Sequence, residues 1–315
     1  MEIDSPVPRK QKSSPAVMIG PWGGRGGTPR DIRKGNGNRP RQLESITVRS
    51  TDSYGGRING FSFVYVDQKG QSIPVGVWGS ATKGFEDTIT MGPDEHVNHV
   101  SGTADNYGVT SLTFVTNTGV EYGTYGYPSG TPFSVPLQQG NGEVLGFFGR
   151  GGDCLVALGM PASRGSSNAA VKVGPWGGHG GTPRDMNSRV PADHLESITV
   201  RSGLIGYICG LSFVYVDRKG QSIPVGPWGA LKAGTVDTIA FGEDEYLAEV
   251  SGTSDGTGIT SLTFVTSSGA EYPYGFPLGT PFSLSLQHSN SHVIGFFGRS
   301  GEVLNALGLY LAPRT

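Results

Sequence analysis

Residues 20–31 read Gly-Pro-Trp-Gly-Gly-Arg-Gly-Gly-Thr-Pro-Arg-Asp, and residues 174–185 repeat this stretch with His in place of Arg at the sixth position. The repetition continues along the chain: residues 43–50 recur at 195–202, 62–67 at 212–217 and 111–116 at 261–266. The sequence Gly-Phe-Phe-Gly-Arg closes each copy, at 146–150 and 295–299. A period of about 150 residues indicates a duplicated domain, because solenoid and propeller repeats are only about 20–50 residues long.

The repeat divides the chain of 315 residues into four segments. We assign residues 1–15 to a disordered basic N-terminal tail, 16–161 to the first domain, 162–170 to a flexible linker and 171–315 to the second domain. The linker consists of small and polar residues without a periodic apolar pattern, which is typical of a flexible connection. We expect such a linker to let the two domains reorient, which would favour binding to a multivalent surface.

The composition and the apolar pattern both predict an all-β fold. The chain contains 52 glycines and is 10% aromatic, which is too much glycine for a helical protein and too much aromatic character for a disordered one. Segments 46–48, 61–66 and 112–116 are rich in β-branched and aromatic residues and are bounded by Gly, Asn, Asp or Pro, as strands are. No stretch shows a sustained helical period.

Charge and cysteine usage narrow the range of partners. Lys and Arg total 24 and Asp and Glu total 26, so no net field attracts nucleic acid or an anionic membrane, and we expect a neutral or small partner. Cys154 and Cys209 occupy non-equivalent positions in the two copies and form neither a disulfide framework nor a metal site. We find no signal peptide and no membrane-spanning apolar run, and therefore expect a cytoplasmic or nuclear protein that is not secreted by a signal peptide.

Four motifs occur in the same order in both copies and together resemble jacalin-related lectins. They are the Gly-Pro-Trp-Gly-Gly-x-Gly-Gly loop, a Trp-Gly pair in mid-domain, Gly-Thr-Pro-Phe-Ser at 130–134 and 279–283, and the Gly-Phe-Phe-Gly-Arg ending. The resemblance covers residues 17–161 and 171–313. It implies two tandem β-prism domains, each with three antiparallel Greek-key-type sheets around a pseudo-threefold axis and one shallow sugar site at an end of the prism.

The same resemblance implies a non-catalytic plant lectin, without a cofactor, that serves in stress or defence responses. Galactose-preferring members are cleaved so that the first glycine loop becomes a free N-terminus, whereas here residues 1–19 precede Gly20 without an evident processing signal. The chain therefore resembles the mannose/glucose-specific branch, and we expect mannose- or glucose-containing glycans or glycoproteins as partners. Pairing of prisms into a homo-oligomer is left open.

In the family, a glycine of the first loop and a Gly-x-x-x-Asp loop before the last strand converge on one monosaccharide. The Asp accepts hydrogen bonds from two ring hydroxyls, and the two residues after the Gly offer backbone N–H groups. The matching positions in this chain are Gly27, Gly152, Asp153, Cys154 and Val156 in the first domain, and Gly181, Gly301, Glu302, Val303 and Asn305 in the second.

This chain departs from that pattern at the Asp position, which holds Val156 in one domain and Asn305 in the other. Hydrogen bonds to an ionised acceptor are roughly twice as strong as neutral ones, so Asn305 weakens binding, and Val156 cannot accept a hydrogen bond at all. We predict weak binding by domain 2 and little or none by domain 1. A protein-interaction scaffold that kept the prism and lost sugar binding is the alternative.

Other chemistries fit the residues less well. The glycine-rich loop is followed by Thr-Pro-Arg rather than Lys-Ser/Thr, so it does not match a phosphate-binding loop. His96 and His99 suggest a metal site, but the second copy has Tyr246 and Glu249 at these positions. The repeated tryptophans, Trp22 and its counterparts at 78, 176 and 228, favour a structural role beneath the loops over stacking on sugars.

Overall fold

A computed structural model describes residues 16–32, 39–138, 142–163, 170–186, 191–203, 206–230, 232, 234–287 and 289–314. Within these ranges the chain forms 24 β-strands in six four-stranded antiparallel sheets, and no helix there is long and apolar enough to cross a membrane. The predicted tail, residues 1–15, and most of the predicted linker, residues 164–169, lie outside the described residues.

The strands of the first domain are β1 (Val17–Gly23), β2 (Thr28–Asp31), β3 (Pro40–Ser50), β4 (Ile58–Asp67), β5 (Ser72–Gly79), β6 (Phe85–Thr90), β7 (Val97–Ala104), β8 (Val109–Thr116), β9 (Glu121–Gly126), β10 (Thr131–Pro136), β11 (Phe148–Gly151) and β12 (Leu155–Ala162). Those of the second domain are β13 (Val171–Gly177), β14 (Thr182–Asp185), β15 (Ala192–Ser202), β16 (Ile208–Asp217), β17 (Ser222–Gly229), β18 (Thr235–Ala240), β19 (Leu247–Ser254), β20 (Ile259–Thr266), β21 (Glu271–Gly275), β22 (Thr280–Ser285), β23 (Ser291–Ser300) and β24 (Leu304–Pro313).

Each domain is a β-prism built from three Greek-key sheets, as predicted. In the first domain the strand orders are β5-β4-β3-β6, β10-β7-β8-β9 and β1-β12-β11-β2, and the second domain repeats all three. In the first two sheets, three consecutive strands form a meander and the fourth returns beside the first, which defines a Greek key. The third sheet joins both ends of the domain, because β1 pairs with β12.

The core lies between the three sheets. Strands such as β4 face it with alternate residues, whereas β12, β23 and β24 are buried along most of their length. In β4, Phe61, Phe63 and Tyr65 are buried, whereas the residues between them are half-exposed on the opposite face. The rings of Phe61 and Phe147 meet edge to face with centroids 4.9 Å apart. In domain 2 the rings of Phe213 and Phe296 meet in the same way at 5.0 Å. The repeated Gly-Phe-Phe-Gly-Arg sequence thus supplies a central core ring to each prism.

The repeated tryptophans are buried, which confirms their structural role. They are between 3% and 8% exposed. Trp22 stacks on Phe133 and Trp176 on Phe282, with ring centroids 4.5 and 4.8 Å apart. Such stacked pairs contribute roughly 0.5–1.5 kcal/mol beyond the area that they bury. The rings tie the first strand of each domain to its neighbouring sheet and are not presented to solvent for stacking on sugars.

The two domains pack directly on each other, which differs from the reorientation expected from the composition of the linker. Strand β10 of domain 1 lies against β22 of domain 2. At the same interface, β1 contacts β22 and β13 contacts β10. Gln138 donates from its N–H to the Lys172 carbonyl (3.0 Å) and from Nε2 to the Gly174 carbonyl (2.8 Å). The Met18 N–H donates to Ser291 Oγ at 2.8 Å. These contacts oppose free rotation about residues 162–170, of which Ala162 is itself the last residue of β12.

A matched pair of substitutions measures how much a hydrogen bond across this interface contributes to stability. Trp176 Nε1 donates across it to the Ser134 carbonyl at 3.2 Å, whereas Trp22 Nε1 is buried without an acceptor in the described part of the chain. Replacing each by Phe keeps a stacked ring in place. We expect Trp176→Phe to lower the free energy of unfolding by about 0.5–1.5 kcal/mol more than Trp22→Phe, because only Trp176 loses a hydrogen bond. Equal shifts in urea denaturation would contradict the assigned contact.

Candidate functional site

Three loops meet at one end of the first prism: β1–β2, β11–β12 and β7–β8. The Gly24 N–H donates to the Val156 carbonyl at 2.8 Å. A Cβ built on Gly152 would lie 3.6 Å from the Gly27 Cα, and one on Gly24 would lie 3.1 Å from the carbonyl carbon of Asn106. The predicted residues Gly27, Gly152 and Val156 are therefore brought together, and Asn106 adds a third loop that the sequence comparison did not include.

The second prism reproduces this arrangement. The Gly178 N–H donates to the Asn305 carbonyl at 2.8 Å, and a Cβ on Gly301 would lie 3.6 Å from the Gly181 Cα and 3.5 Å from Asn305 Oδ1. The predicted residues Gly181, Gly301 and Asn305 therefore form one cluster. Both glycines are exposed to solvent, and Asn305 lies beneath them with 8% of its surface exposed.

Gly27 and Gly181, the last glycines of the first loop in each domain, cannot be replaced without moving the backbone. Gly27 and Gly181 have φ values of +66° and +67°, a conformation that residues with a Cβ adopt at a cost. A Cβ on Gly27 would lie 2.9 Å from the carbonyl carbon of Gly151, and one on Gly181 would lie 2.5 Å from that of Ser300. Glycine thus allows the first loop to lie against the β11–β12 or β23–β24 turn with its backbone exposed.

An arginine that the sequence reasoning missed holds each glycine loop. Arg150 donates from Nε to the Gly26 carbonyl (2.5 Å) and from Nη2 to the Gly27 carbonyl (2.9 Å). Arg299 makes the same two bonds in domain 2, to residues 180 and 181, both at 2.8 Å. The planar guanidinium donates along two directions at once, which a lysine ammonium does not reproduce. The signal was present in the sequence, because both arginines end the repeated Gly-Phe-Phe-Gly-Arg motif.

The third loop is rigid because an aspartate closes it. In domain 2, Asp255 Oδ1 accepts from the N–H groups of Thr257 (2.7 Å) and Gly258 (2.9 Å), and Tyr207 donates its hydroxyl to Oδ2 at 2.8 Å. The bond from Gly258, followed by those from Tyr207 and Thr257, holds the pKa of Asp255 below its ordinary value. In domain 1, Asp105 makes the same turn, with Arg57 Nη2 lying 3.5 Å from its Oδ2.

The two sites differ most at the position that carries Asp in the family. Asn305 Nδ2 donates to the Thr257 carbonyl at 2.8 Å, which orients the amide. Its Oδ1 is buried and has no hydrogen-bond donor within the described residues. In domain 1 a methyl group takes this place, since Val156 Cγ2 would lie 3.2 Å from a Cβ on Gly27. Domain 2 therefore keeps an unused acceptor, and domain 1 has an apolar surface.

The remaining predicted residues lie on the turns between β11 and β12 and between β23 and β24. Asp153 and Glu302 lie exposed at the tips of their turns. Cys154 is half-buried with Sγ near Gly108 in the third loop, and Val303 likewise points toward Gly258. The side chains of Cys154 and Val303 thus face the third loop.

Backbone donors remain available in both turns. Gly152 and Gly301 use their own N–H groups inside the turns, donating to the carbonyls of Cys154 (3.0 Å) and Val303 (3.1 Å). Two residues follow each of these glycines: Asp153 and Cys154 in domain 1, and Glu302 and Val303 in domain 2. Their N–H groups form no hydrogen bond with the described residues. Each turn can therefore offer two N–H groups to a ligand.

The histidines considered for a metal site have other partners. His99 Nε2 forms a hydrogen bond with Ser134 Oγ at 2.9 Å, and burial lowers the pKa of its imidazole. His96 Nδ1 lies 3.9 Å from a carboxylate oxygen of Glu143. The two rings are therefore held apart by separate contacts.

Comparison with known proteins agrees with this architecture. The family model of the Jacalin-like lectin domain matches residues 19–161 and 173–310. A mannose/glucose-specific lectin of Parkia pendula is 31% identical over 317 residues, which cover 95% of this chain and 65% of that lectin, so the chain spans less than two thirds of it. An agglutinin of Castanea crenata is 30% identical over 325 residues, which cover 94% of this chain and 98% of the agglutinin.

Among solved structures, a mannose-binding jacalin-related lectin from Ananas comosus, AcmJRL, is 36% identical and has a TM-score of 0.41. The match covers 46% of this chain and 98% of that lectin. Because the family model matches nearly all of both halves, the chain belongs to the family of Jacalin-like lectin domains and carries two of them in tandem.

Proposed function

We propose that the chain is a non-catalytic, carbohydrate-binding lectin that takes mannose or glucose residues of glycans at the glycine-loop end of the prism, with domain 2 as the stronger site. The family and the names of its relatives support the ligand class. The observation that carries the difference between the domains is the unused Oδ1 of Asn305 beside the exposed Gly181 and Gly301. As the family resemblance implies, we assign this binding to plant stress or defence responses.

The energetics favour a hydroxyl ligand at Asn305. A buried acceptor without a donor costs about 1–3 kcal/mol, and a sugar hydroxyl that donates to it removes this penalty. The oxygen is buried beneath Gly181 and Gly301, so a hydroxyl reaches it where these two glycines move apart. The backbone N–H groups of Glu302 and Val303 supply donors to a second hydroxyl. A neutral amide binds more weakly than the carboxylate of the family pattern, so we expect millimolar affinity for a monosaccharide.

Domain 1 cannot make the same contact. A hydroxyl placed against Val156 would lose its water without gaining a partner, at a cost of about 1–3 kcal/mol, which is a large part of the roughly 4 kcal/mol that a millimolar site provides. Domain 1 keeps the glycine loop and its arginine clamp, and therefore keeps the shape of the site without its acceptor. This is the observation that favours a scaffold role as the second candidate function.

Exchanging the side chains at positions 156 and 305 tests the proposal. We expect isothermal titration of the full chain with methyl α-mannoside to show one site per chain, and Asn305→Val to weaken this site by about tenfold or more, because the acceptor is lost. Val156→Asn is the reciprocal variant and is expected to create weak binding in domain 1. If the wild-type chain binds no neutral glycan in any form, the scaffold function replaces the lectin function. Two equal sites in the wild-type chain would refute the difference between the domains.

A further inference from the structure

A cleft of about 400 Å³ lies where the two domains meet, apart from the loop ends of the prisms. One wall is the outer face of the sheet formed by β7, β8, β9 and β10, and the other is made by residues of β13 and β22 from domain 2. The volume lies within the range of about 300–1,000 Å³ that is usual for small-molecule sites. None of the residues predicted for the two prism-end sites lines this cleft.

The wall from domain 1 carries an array of hydroxyl groups. Along β8, Leu112 and Phe114 point into the core, so Ser111 and Thr113 lie on the opposite face. Register places Thr113 opposite a serine and Ser111 opposite a threonine of β7, and Thr113 Oγ1 donates to the hydroxyl of Thr124 on β9 at 3.2 Å. The hydroxyls that line this wall belong to Ser101, Thr103, Ser111, Thr113, Thr124 and Ser134.

Part of this hydroxyl array has bonding capacity beyond its contacts within the chain. Thr103 Oγ1 lies 2.7 Å from both Thr110 Oγ1 and Ser111 Oγ. A hydroxyl can donate one hydrogen bond and accept two. The Ser129 N–H also donates to Thr103 Oγ1 at 3.1 Å, which fills the capacity of this hydroxyl. Thr113 and Thr124 share a single hydrogen bond, so this pair keeps donor and acceptor capacity for a ligand hydroxyl.

The opposite wall is flat and apolar, with one hydroxyl at its rim. Pro281, Phe282 and Trp176 line it, and Thr280 stands exposed beside them. Pro281 is exposed, whereas Phe282 and Trp176 are buried and stack on each other. The prolyl ring therefore supplies most of the apolar surface that can meet the C–H face of a pyranose, while hydroxyls on the facing wall suit its equatorial oxygens. The cleft thus offers an apolar surface on one side and hydrogen-bonding groups on the other.

Among the described residues, none that lines the cleft carries a formal charge. A charged ligand would lose water there without gaining a counter-ion, which is costly, whereas a neutral polyhydroxyl ligand would exchange water for hydroxyl partners. We propose that this cleft binds a segment of a neutral oligosaccharide, as a third carbohydrate site that exists only where the two domains meet. It does not depend on the prism-end sites, and it can bind whether or not they do.

Variants that fill the cleft, each with a control in the other domain, test the proposal on the full chain. Thr113→Trp places an indole on the hydroxyl wall, and Thr263→Trp places one at the equivalent position of β20, which does not line the cleft. Thr280→Trp and Thr131→Trp form a second pair at exposed positions, where a larger side chain is tolerated during folding. All four are made in the Asn305→Val background, so that the prism-end site of domain 2 does not contribute.

An array of neutral, uronate-bearing and sulfated oligosaccharides provides the measurement. We expect the Asn305→Val chain to retain binding to a subset of neutral oligosaccharides, Thr113→Trp and Thr280→Trp to weaken it by about tenfold or more, and the two controls to leave it unchanged. Equal binding by both members of each pair, or a preference for the charged oligosaccharides, would overturn the proposal. So would the complete loss of glycan binding in the Asn305→Val chain, which would leave the proposed prism-end function intact.

Discussion

Replacing Gly181 by alanine is expected to remove measurable mannoside binding from domain 2, a loss on the order of 100-fold. The new Cβ would lie 2.5 Å from the carbonyl carbon of Ser300 and would also overlap Asn305 Oδ1. The loop would have to move away from the β23–β24 turn, and φ of +67° adds backbone strain of about 1–2 kcal/mol for a residue with a Cβ. The substitution therefore separates the backbone donors from the acceptor.

A second glycine provides the control for backbone strain alone. Gly220 has a φ of +77°, and a Cβ there would meet nothing within 4 Å. Gly220→Ala should therefore destabilise domain 2 slightly and leave mannoside affinity unchanged in the same titration. If Gly181→Ala binds methyl α-mannoside as tightly as Gly220→Ala does, the close approach of the first loop to the turn at 300–303 is not part of the site.

Truncating Phe147 to alanine is expected to lower the free energy of unfolding of domain 1 by about 3–5 kcal/mol, the usual cost of deleting a fully buried aromatic ring. Phe147 is 0% exposed, and its ring meets those of Phe61 and Phe63 edge to face at 4.9 and 5.3 Å and that of Phe114 at 6.1 Å. It therefore contacts core residues from two other sheets, and the cavity left by its removal cannot be closed by one neighbour.

Guanidinium chloride denaturation of the full chain measures this loss. Phe296→Ala is the counterpart in domain 2, where the ring contacts Phe213 and Phe264, and Phe85→Ala is the control at an 82% exposed position. We expect two transitions or one broadened transition in the Phe147→Ala chain, because a large difference in stability between tandem domains breaks two-state unfolding. A shift no larger than that of Phe85→Ala would show that the ring is not central to the core.

The strands and the duplication were predictable because each depends on a pattern visible in the sequence, whereas the prism and the position of the site were implied by the resemblance to jacalin-related lectins. Alternation in 61–66 and 112–116 specifies a buried and an exposed face, and glycines between strands specify the turns. The outcome at Asn305 was only half predictable: the loss of charge is visible in the sequence, but the bond from Nδ2 to the Thr257 carbonyl, which frees Oδ1, is not.

Contacts between distant parts of the chain escaped the sequence reasoning. Arg150 clamps a loop more than a hundred residues before it in the chain, and no local period reports such a pairing. The role of Tyr207 depends on Asp255, which lies 48 residues further along the chain. The domain interface also escaped notice, because the small polar residues of the linker describe only the connection and not the apolar surfaces of β10 and β22 that meet beside it.

The pairing of β1 with β12 has a consequence for synthesis on the ribosome. Val17 pairs with Ala162, so the first prism closes with its own two ends. Until β12 has emerged, β1 exposes an unpaired edge, and such edges pair readily with other chains. Long-range pairing of this kind also slows folding. We therefore expect the first domain to fold late but as a unit, completed before the strands of the second domain are available to compete for its edge.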